Sequence, residues 1–201
     1  MNLKQLTNKR ANMAERAQQM LDLHFPGLDP SYLWLRKKNH GFTTIPRTLP
    51  VIMQAVDALS KSQPAGHVLF GLWARSPDNP FIVIENPAIF ATEAGFSGRR
   101  VVDTWRRRMK VLAQYRFIAT RPGASGDFHY VLLLNPNHAM EYLNVTGNIQ
   151  PDLYRRFVER LTEVGGGDEI NQIRQLWAVQ AAAEEAAKVA AGNAASAAPA
   201  A

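Results

Sequence analysis

Between Gly95 and Lys110 the chain reads GFSGRRVVDTWRRRMK, five arginines and a lysine set around one tryptophan and a pair of valines. Guanidinium groups at this density are anion chemistry. Each is planar, permanently charged, and able to grip a phosphate or the O6/N7 edge of a guanine with two parallel hydrogen bonds. From Arg99 to Arg121 there are eight Lys/Arg (99, 100, 106, 107, 108, 110, 116 and 121) against one acid, Asp103, a local charge of +7 in a chain whose formal total is +6. The remainder therefore sums to −1. The basicity is a single local feature, which is the electrostatic footprint of a polyanion-binding surface.

Helical geometry separates this charge from an apolar stripe. At about 100° per residue, Val101, Val102, Trp105, Met109 and Leu112 fall within an arc of about 100°. Arg99, Arg100, Asp103, Arg106, Arg107 and Lys110 fall opposite. Arg108 stands at the stripe's edge, where its aliphatic stem can pack. Ser97 is placed to cap this helix, which is predicted to span 98–115. Arg99 and Arg100 would then lie in its first turn, where the helix dipole favours negative side chains by roughly 0.3–1 kcal/mol per charge. The wrong sign there suits an arriving anion, because helix N-termini bind phosphate.

Other chemistries lack their residues. The chain has no P-loop, no GxSxG, no HExxH, no paired carboxylates in an apolar setting and no glycine-rich dinucleotide fingerprint, so an enzyme is not expected. No cofactor and no metal is implied. With zero cysteines there is no thiolate zinc site or disulfide, and the five histidines (24, 40, 67, 129, 138) show no HxxxH spacing.

The elements that must position the basic helix follow from turn signals and periodicity. At 201 residues, 46% hydrophobic and 20% charged, one main core with a small appendage is expected. A helix is predicted over Leu3–Leu23, ended by FPGLDP. A basic-aromatic connector follows, and Thr48 then caps a helix with Pro50 in its first turn and Ile52, Val56 and Leu59 on one face. GHVLFGLWARS reads as an apolar helix, with Leu69, Leu72 and Trp73 inward, and FIVIE as a strand. Asn86 caps a helix with Pro87 first, and Gly95 ends it. RFIATR and DFHYVLLLNP, joined by PGASG, make a β-hairpin with His129 facing solvent. PDLYRRFVERLTEV is helical, GGG breaks it, and a last helix runs from Glu169 to about Ala190. The alanine-rich tail 191–201 is expected to be disordered.

That order, helix, strand, helix, tight turn, helix, hairpin, resembles the bacterial winged helix-turn-helix DNA-binding superfamily. The resemblance covers about Gly66 to Pro136. It rests on FATEAGFSGRRV, with Ala91 four residues before Gly95, then Phe96, Ser97 and Val101, and on YRFIATRPGASGDFHYVLLL as the wing. Thr104 and Trp105 stand where the family has a small and then a large apolar residue. Arg116 stands where a glycine is common, so a different exit from helix to strand is expected. The implied fold is mainly α with a small β-hairpin and additional N- and C-terminal helices, divided as 1–25, 26–65, 66–136, 137–190 and 191–201.

The resemblance implies sequence-specific binding of double-stranded DNA by a transcriptional regulator, with helix 98–115 in the major groove and wing 117–134 on backbone or minor groove. Two alternatives remain at this point. One is a DNA-binding accessory of plasmid or phage replication or partition; the other is a winged-helix module for protein interaction or RNA. The implied contact set is Ser97, Gly98, Arg99, Arg100, Asp103, Thr104, Arg106, Arg107, Lys110, Arg121 and Ser125. Arg99, Arg100 and Asp103 are expected near bases, Arg106, Arg107 and Lys110 on backbone, and Arg121 and Ser125 against a phosphate or in the minor groove.

Arg36, Lys37, Lys38 and His40, with Trp34 and Phe42, form a second basic cluster that is either an arm on the DNA or a solvated loop. The terminal helices either pair in a homodimer or pack on the central domain. Leu153, Phe157 and Leu161 supply the seam in either case. The absence of a long apolar run and of a signal-peptide pattern leads to the expectation of a cytoplasmic protein, nucleoid- or plasmid-associated, with no membrane partner.

Overall fold

In the computed structural model, which describes residues 15–61 and 63–196, the chain divides into two units after Phe42. The first unit holds a helix over residues 15–24 (α1), a single 3-10 turn at Pro30–Tyr32 and the basic-aromatic segment. Residues 1–14 of the expected first helix lie outside the described residues. The helix stops where the sequence predicts, beside Pro26 and at Gly27, whose φ of +75° suits a residue without a Cβ.

The second unit carries α2 (Leu49–Leu59), α3 (Gly66–Ala74), β1 (Phe81–Val83), α4 (Pro87–Glu93), α5 (Val101–Gln114), β2 (Ile118–Gly123), β3 (Gly126–Leu133), α6 (Pro136–Val145), α7 (Pro151–Glu163) and α8 (Gly167–Ser196). The strands form one antiparallel sheet in the order β1-β3-β2. The protein is thus mainly helical with a small three-stranded sheet. The helix expected after Thr48, in the connector-and-helix segment 26–65, belongs to this unit, because Leu49, Ile52, Ala55 and Val56 of α2 are buried in its core.

Local chemistry explains most boundaries. Asn86 accepts a hydrogen bond from the Ala88 N–H (3.1 Å) ahead of Pro87, as predicted. The same pair recurs at Asn135–Pro136, where Asn135 Oδ1 accepts from the Asn137 N–H (2.9 Å) and starts α6, a helix the sequence reading did not anticipate. Thr48 occupies the cap position of α2 without capping it. Its hydroxyl donates instead to Asn137 Oδ1 (2.7 Å) on α6, a buried link across 89 residues of sequence.

Gly66 permits the close approach of α3 to α2. A Cβ there would meet Met53 Cβ and its carbonyl oxygen at 3.0 Å, while the Gly66 N–H donates to Asp57 Oδ1 (2.7 Å).

The C-terminal helices extend the same core. Leu153, Phe157 and Leu161 of α7 are buried in it, so this apolar face is used within the chain. Glu141 of α6, 0% exposed, accepts hydrogen bonds from the Tyr154 hydroxyl on α7 and from Arg174 Nε (2.7 Å) on α8. A buried carboxylate satisfied from two neighbouring helices fixes how they dock. Ile170 and Ile173 anchor the start of α8, while Leu176 and Val179 are exposed.

The helix continues to Ser196, beyond the predicted end near Ala190 and into the supposedly disordered tail, because alanine is the strongest helix former. Residues 197–201 lie outside the described residues. Among the described residues no helix is long and apolar enough to cross a membrane.

Candidate nucleic-acid interface

The basic segment is held between two helix endings of the same type. At the end of α4 the Phe96 N–H donates to Ala91 O (3.1 Å) and the Gly95 N–H to Thr92 O (2.9 Å), with Gly95 at φ +84°. At the end of α5 the Phe117 N–H donates to Leu112 O (3.0 Å) and the Arg116 N–H to Ala113 O (3.2 Å), with Arg116 at φ +61°. Both are Schellman motifs. The expectation that Arg116 changes the exit is therefore corrected: the arginine adopts the left-handed conformation a glycine would, and its guanidinium lies 4.0 Å over the Tyr142 ring.

The start of α5 differs from its prediction. Ser97 does not cap it. Gly98, at φ +92°, turns the chain out of helical conformation after Ser97, and the helix begins only at Val101. Arg99 and Arg100 are exposed residues of the turn that precedes the helix, not members of its first turn. Arg100 occupies the cap position and makes no capping bond, since a guanidinium cannot accept one. The N-terminus of α5 thus lacks the side-chain acceptor that usually satisfies it, with two guanidinium groups beside it.

The inward stripe is as expected. Trp105, Met109 and Leu112 are buried, Val101 packs against the core and Val102 is half-buried. Trp105 meets Phe90 of α4 (ring centroids 6.3 Å apart) and, edge-on, Phe128 of β3 (5.9 Å). Large aromatic contacts on both sides fix the rotation of α5 about its axis.

The outward residues separate into two groups. Arg99, Arg100, Asp103, Arg107 and Lys110 are exposed, and among the described residues none of their four cations has an ion pair. Arg106 and Arg108 are turned to the protein. Arg106 Nη2 lies 3.5 Å from Ser125 O at the hairpin turn, a weak contact that tethers hairpin to helix. Arg108 donates from Nη1 to Gln63 Oε1 (2.6 Å), with its guanidinium 5.7 Å from the Phe96 ring centroid. Burial, and then the charge of Arg107, lowers the Arg108 pKa from its ordinary value. Thr104 is half-buried between the two faces.

The hairpin is closed by Ala124 and Ser125. Its register shifts between the Arg121↔Tyr130 and Gly123↔Gly126 pairs, so that two residue steps on β2 are spanned by four on β3. This irregularity turns both Phe128 and His129 inward. His129, expected to face solvent, is 8% exposed, and its Nδ1 lies 2.9 Å from Ser125 Oγ and 3.1 Å from Ile84 O.

The Ser125 hydroxyl donates to Ile84 O, so this predicted contact residue has its side chain engaged inside the hairpin. Gly123 is required beside it, since a Cβ there would come within 2.3 Å of His129 Cδ2. Arg121 stands back from the tip, on the outer face of the sheet with Phe81, Ala119, Tyr130 and Leu132 around a shallow cavity of 260 Å³.

Sequence reasoning placed the α5 stripe and its opposite charge but missed His129 and the inward turn of Ser125. The signal available for those was a glycine pair, Gly123 and Gly126, flanking a short turn. No family model matches the chain, and no curated protein and no solved structure matches it either.

Proposed function

We propose that this protein binds double-stranded DNA in a sequence-specific manner through α5 and the 97–100 turn, with the arrangement of a winged helix-turn-helix, and acts as a transcriptional regulator. The order α3, β1, α4, α5, β2, β3 with strand order β1-β3-β2 supports the architectural part. One observation carries the functional part. Arg99, Arg100, Arg107 and Lys110 are exposed and, among the described residues, without ion pairs around a helix whose opposite face is sealed into the core by Trp105, Met109 and Leu112.

The dimensions agree with that role. At 1.5 Å per residue α5 is about 21 Å long, and a helix with its side chains fits a major groove about 12 Å wide. Arg99 and Arg100, at the N-terminal end where recognition helices reach base edges, are assigned to base contact, and Arg107 and Lys110 to phosphate. The exposed Asp103 carboxylate is suited to accept from a cytosine amino group.

The test is the salt dependence of duplex binding. Arg107 and Lys110 on phosphate, at roughly −0.9 per neutralised phosphate, give a slope of log K against log salt of about −1.8 per subunit. A slope near zero would overturn the reading. Footprinting on the protein's own promoter, and on a replication origin or repeated partition site, distinguishes the regulator from a replication or partition accessory of a plasmid or phage.

A further inference from the structure

The first unit carries a surface of a different kind. Between Pro30 and Phe42 the chain has Arg36, Lys37, Lys38 and His40 and no acid. From Tyr32 to Arg36 the side chains alternate. Leu33 and Leu35 are half-buried and line, with Leu21, Phe25 and Leu28, a cavity of 570 Å³ beside α1, whereas Tyr32, Trp34 and Arg36 face outward. The leucines thus hold the segment on the unit while the rings are displayed.

Tyr32 is 83% and Trp34 62% exposed, and Trp34 is the most exposed of the four tryptophans, Trp105 being buried and Trp73 and Trp177 half-buried. The display is ordered by local bonds. The Leu35 N–H donates to Asn39 Oδ1 (2.6 Å), and the Lys38 and Asn39 N–H groups donate to Leu35 O (2.8 and 2.9 Å). Gly41 at φ +76° turns the chain so that Phe42 meets Trp34 edge-on at 5.8 Å, with the Arg36 guanidinium 5.2 Å from the Phe42 ring centroid.

We propose that residues 32–42 bind single-stranded nucleic acid, with Tyr32 and Trp34 as stacking platforms and Arg36, Lys37 and Lys38 along the backbone. Three adjacent cations without an interspersed acid complement a polyanion. The exposed rings select the partner further. Bases inside a duplex are already stacked on both sides, whereas an unpaired base has a free face for an aromatic ring. This surface belongs to the first unit, whereas α5 belongs to the second, and its proposed role goes beyond the duplex reading.

The test uses the full chain and fluorescence anisotropy with labelled oligo-dT of about fifteen nucleotides, enough for one site of this kind. Oligo-rU, an abasic strand of equal length and a duplex hairpin are run beside it. Oligo-dT or oligo-rU is expected to bind more tightly than the abasic strand, and the tighter of the two identifies the sugar preferred. Tyr32→Ala with Trp34→Ala should weaken that binding about tenfold or more, while duplex binding is retained. Trp34→Phe, which keeps a ring, should retain most of it and guards against misfolding.

Equal binding of the abasic strand, or no change on removing both rings, overturns the proposal. Arg99→Ala with Arg100→Ala separates the two readings: it should reduce duplex binding and leave oligo-dT binding in place. If the wild-type chain binds oligo-dT but no duplex, the α5 reading alone fails.

Discussion

Arg155, Arg160 and Arg174, on α7 and α8, each meet a carboxylate: Asp152 at 3.2 Å and Glu159 at 3.9 Å, Glu163 at 2.7 Å, and Glu141 at 2.7 Å. Arg99, Arg100, Arg107 and Lys110 have no ion pair among the described residues. Arginine dominates both sets and α7, like α5, is amphipathic, so the difference lies in the neighbours. On α7 acids stand three or four residues from the arginines and neutralise them locally, each exposed pair contributing about 0–1 kcal/mol. Around α5 like charges stand together, a mildly destabilising arrangement for the free protein that becomes favourable when an anion arrives. Arginines of the first kind support the fold; those of the second kind are available to a partner.

The contrast should be clearest in stability. Arg174→Met leaves the fully buried Glu141 carboxylate with only the Tyr154 hydroxyl, and urea unfolding should show a loss of about 3 kcal/mol, at the lower end for a broken buried pair because Arg174 is half-exposed. Arg107→Ala with Lys110→Ala should change stability by no more than about 0.5 kcal/mol. Equal losses in the two variants would erase the difference between the two kinds of arginine.

Binding should show the reverse. Arg99→Ala or Arg100→Ala is expected to reduce discrimination among duplex sequences by about 1–3 kcal/mol, read by competition between a selected site and its single-base variants. Gly98→Ala tests the turn that presents them. No heavy atom lies within 4 Å of a Cβ there, so its cost is the left-handed backbone alone, about 1–2 kcal/mol, and duplex affinity should fall with the displaced arginines.

Lys110→Ala should weaken all duplex sequences alike and reduce the salt slope by about 1. A sequence-dependent effect would move Lys110 from phosphate to base contact.

The smallest effect concerns pH and belongs to the paired region. Burial, reinforced by the hydrogen bond to Glu141 and the charge of that carboxylate, pushes the Tyr154 phenol from 10.0 up to about 12. A raised pKa means that the unfolded chain loses its proton first. The stabilisation is complete below pH 10 and is lost as the pH rises through 12. Stability of the wild type should therefore fall more steeply over that range than that of Tyr154→Phe, and parallel curves would show that the phenol titrates normally.

Much of this was legible in the sequence where a rule depends on nearby residues. The stripe of Val101, Trp105, Met109 and Leu112 follows from helical period, and Asn86–Pro87 and Gly95 follow from the needs of helix ends. Asn135–Pro136 carries the same signal as Asn86–Pro87, so α6 was readable although it was not anticipated. The Ser97 cap failed because Gly98, two residues before Arg100, allowed a longer turn than a serine cap requires. His129 could not be placed, since its inward turn depends on how β2 and β3 pair, and strand alternation predicts a face only when the register is regular.

Composition and period were enough to fix the segregation of charge from core on one helix, because both are properties of residues a few positions apart. Which of the six cations between Arg99 and Lys110 stand free was decided by packing. Arg106 is drawn to Ser125 across 19 residues and Arg108 to Gln63 across 45. Such contacts depend on the angle at which helix, hairpin and neighbouring loop meet. That angle is set by the fit of Trp105 between Phe90 and Phe128, three residues from three different elements.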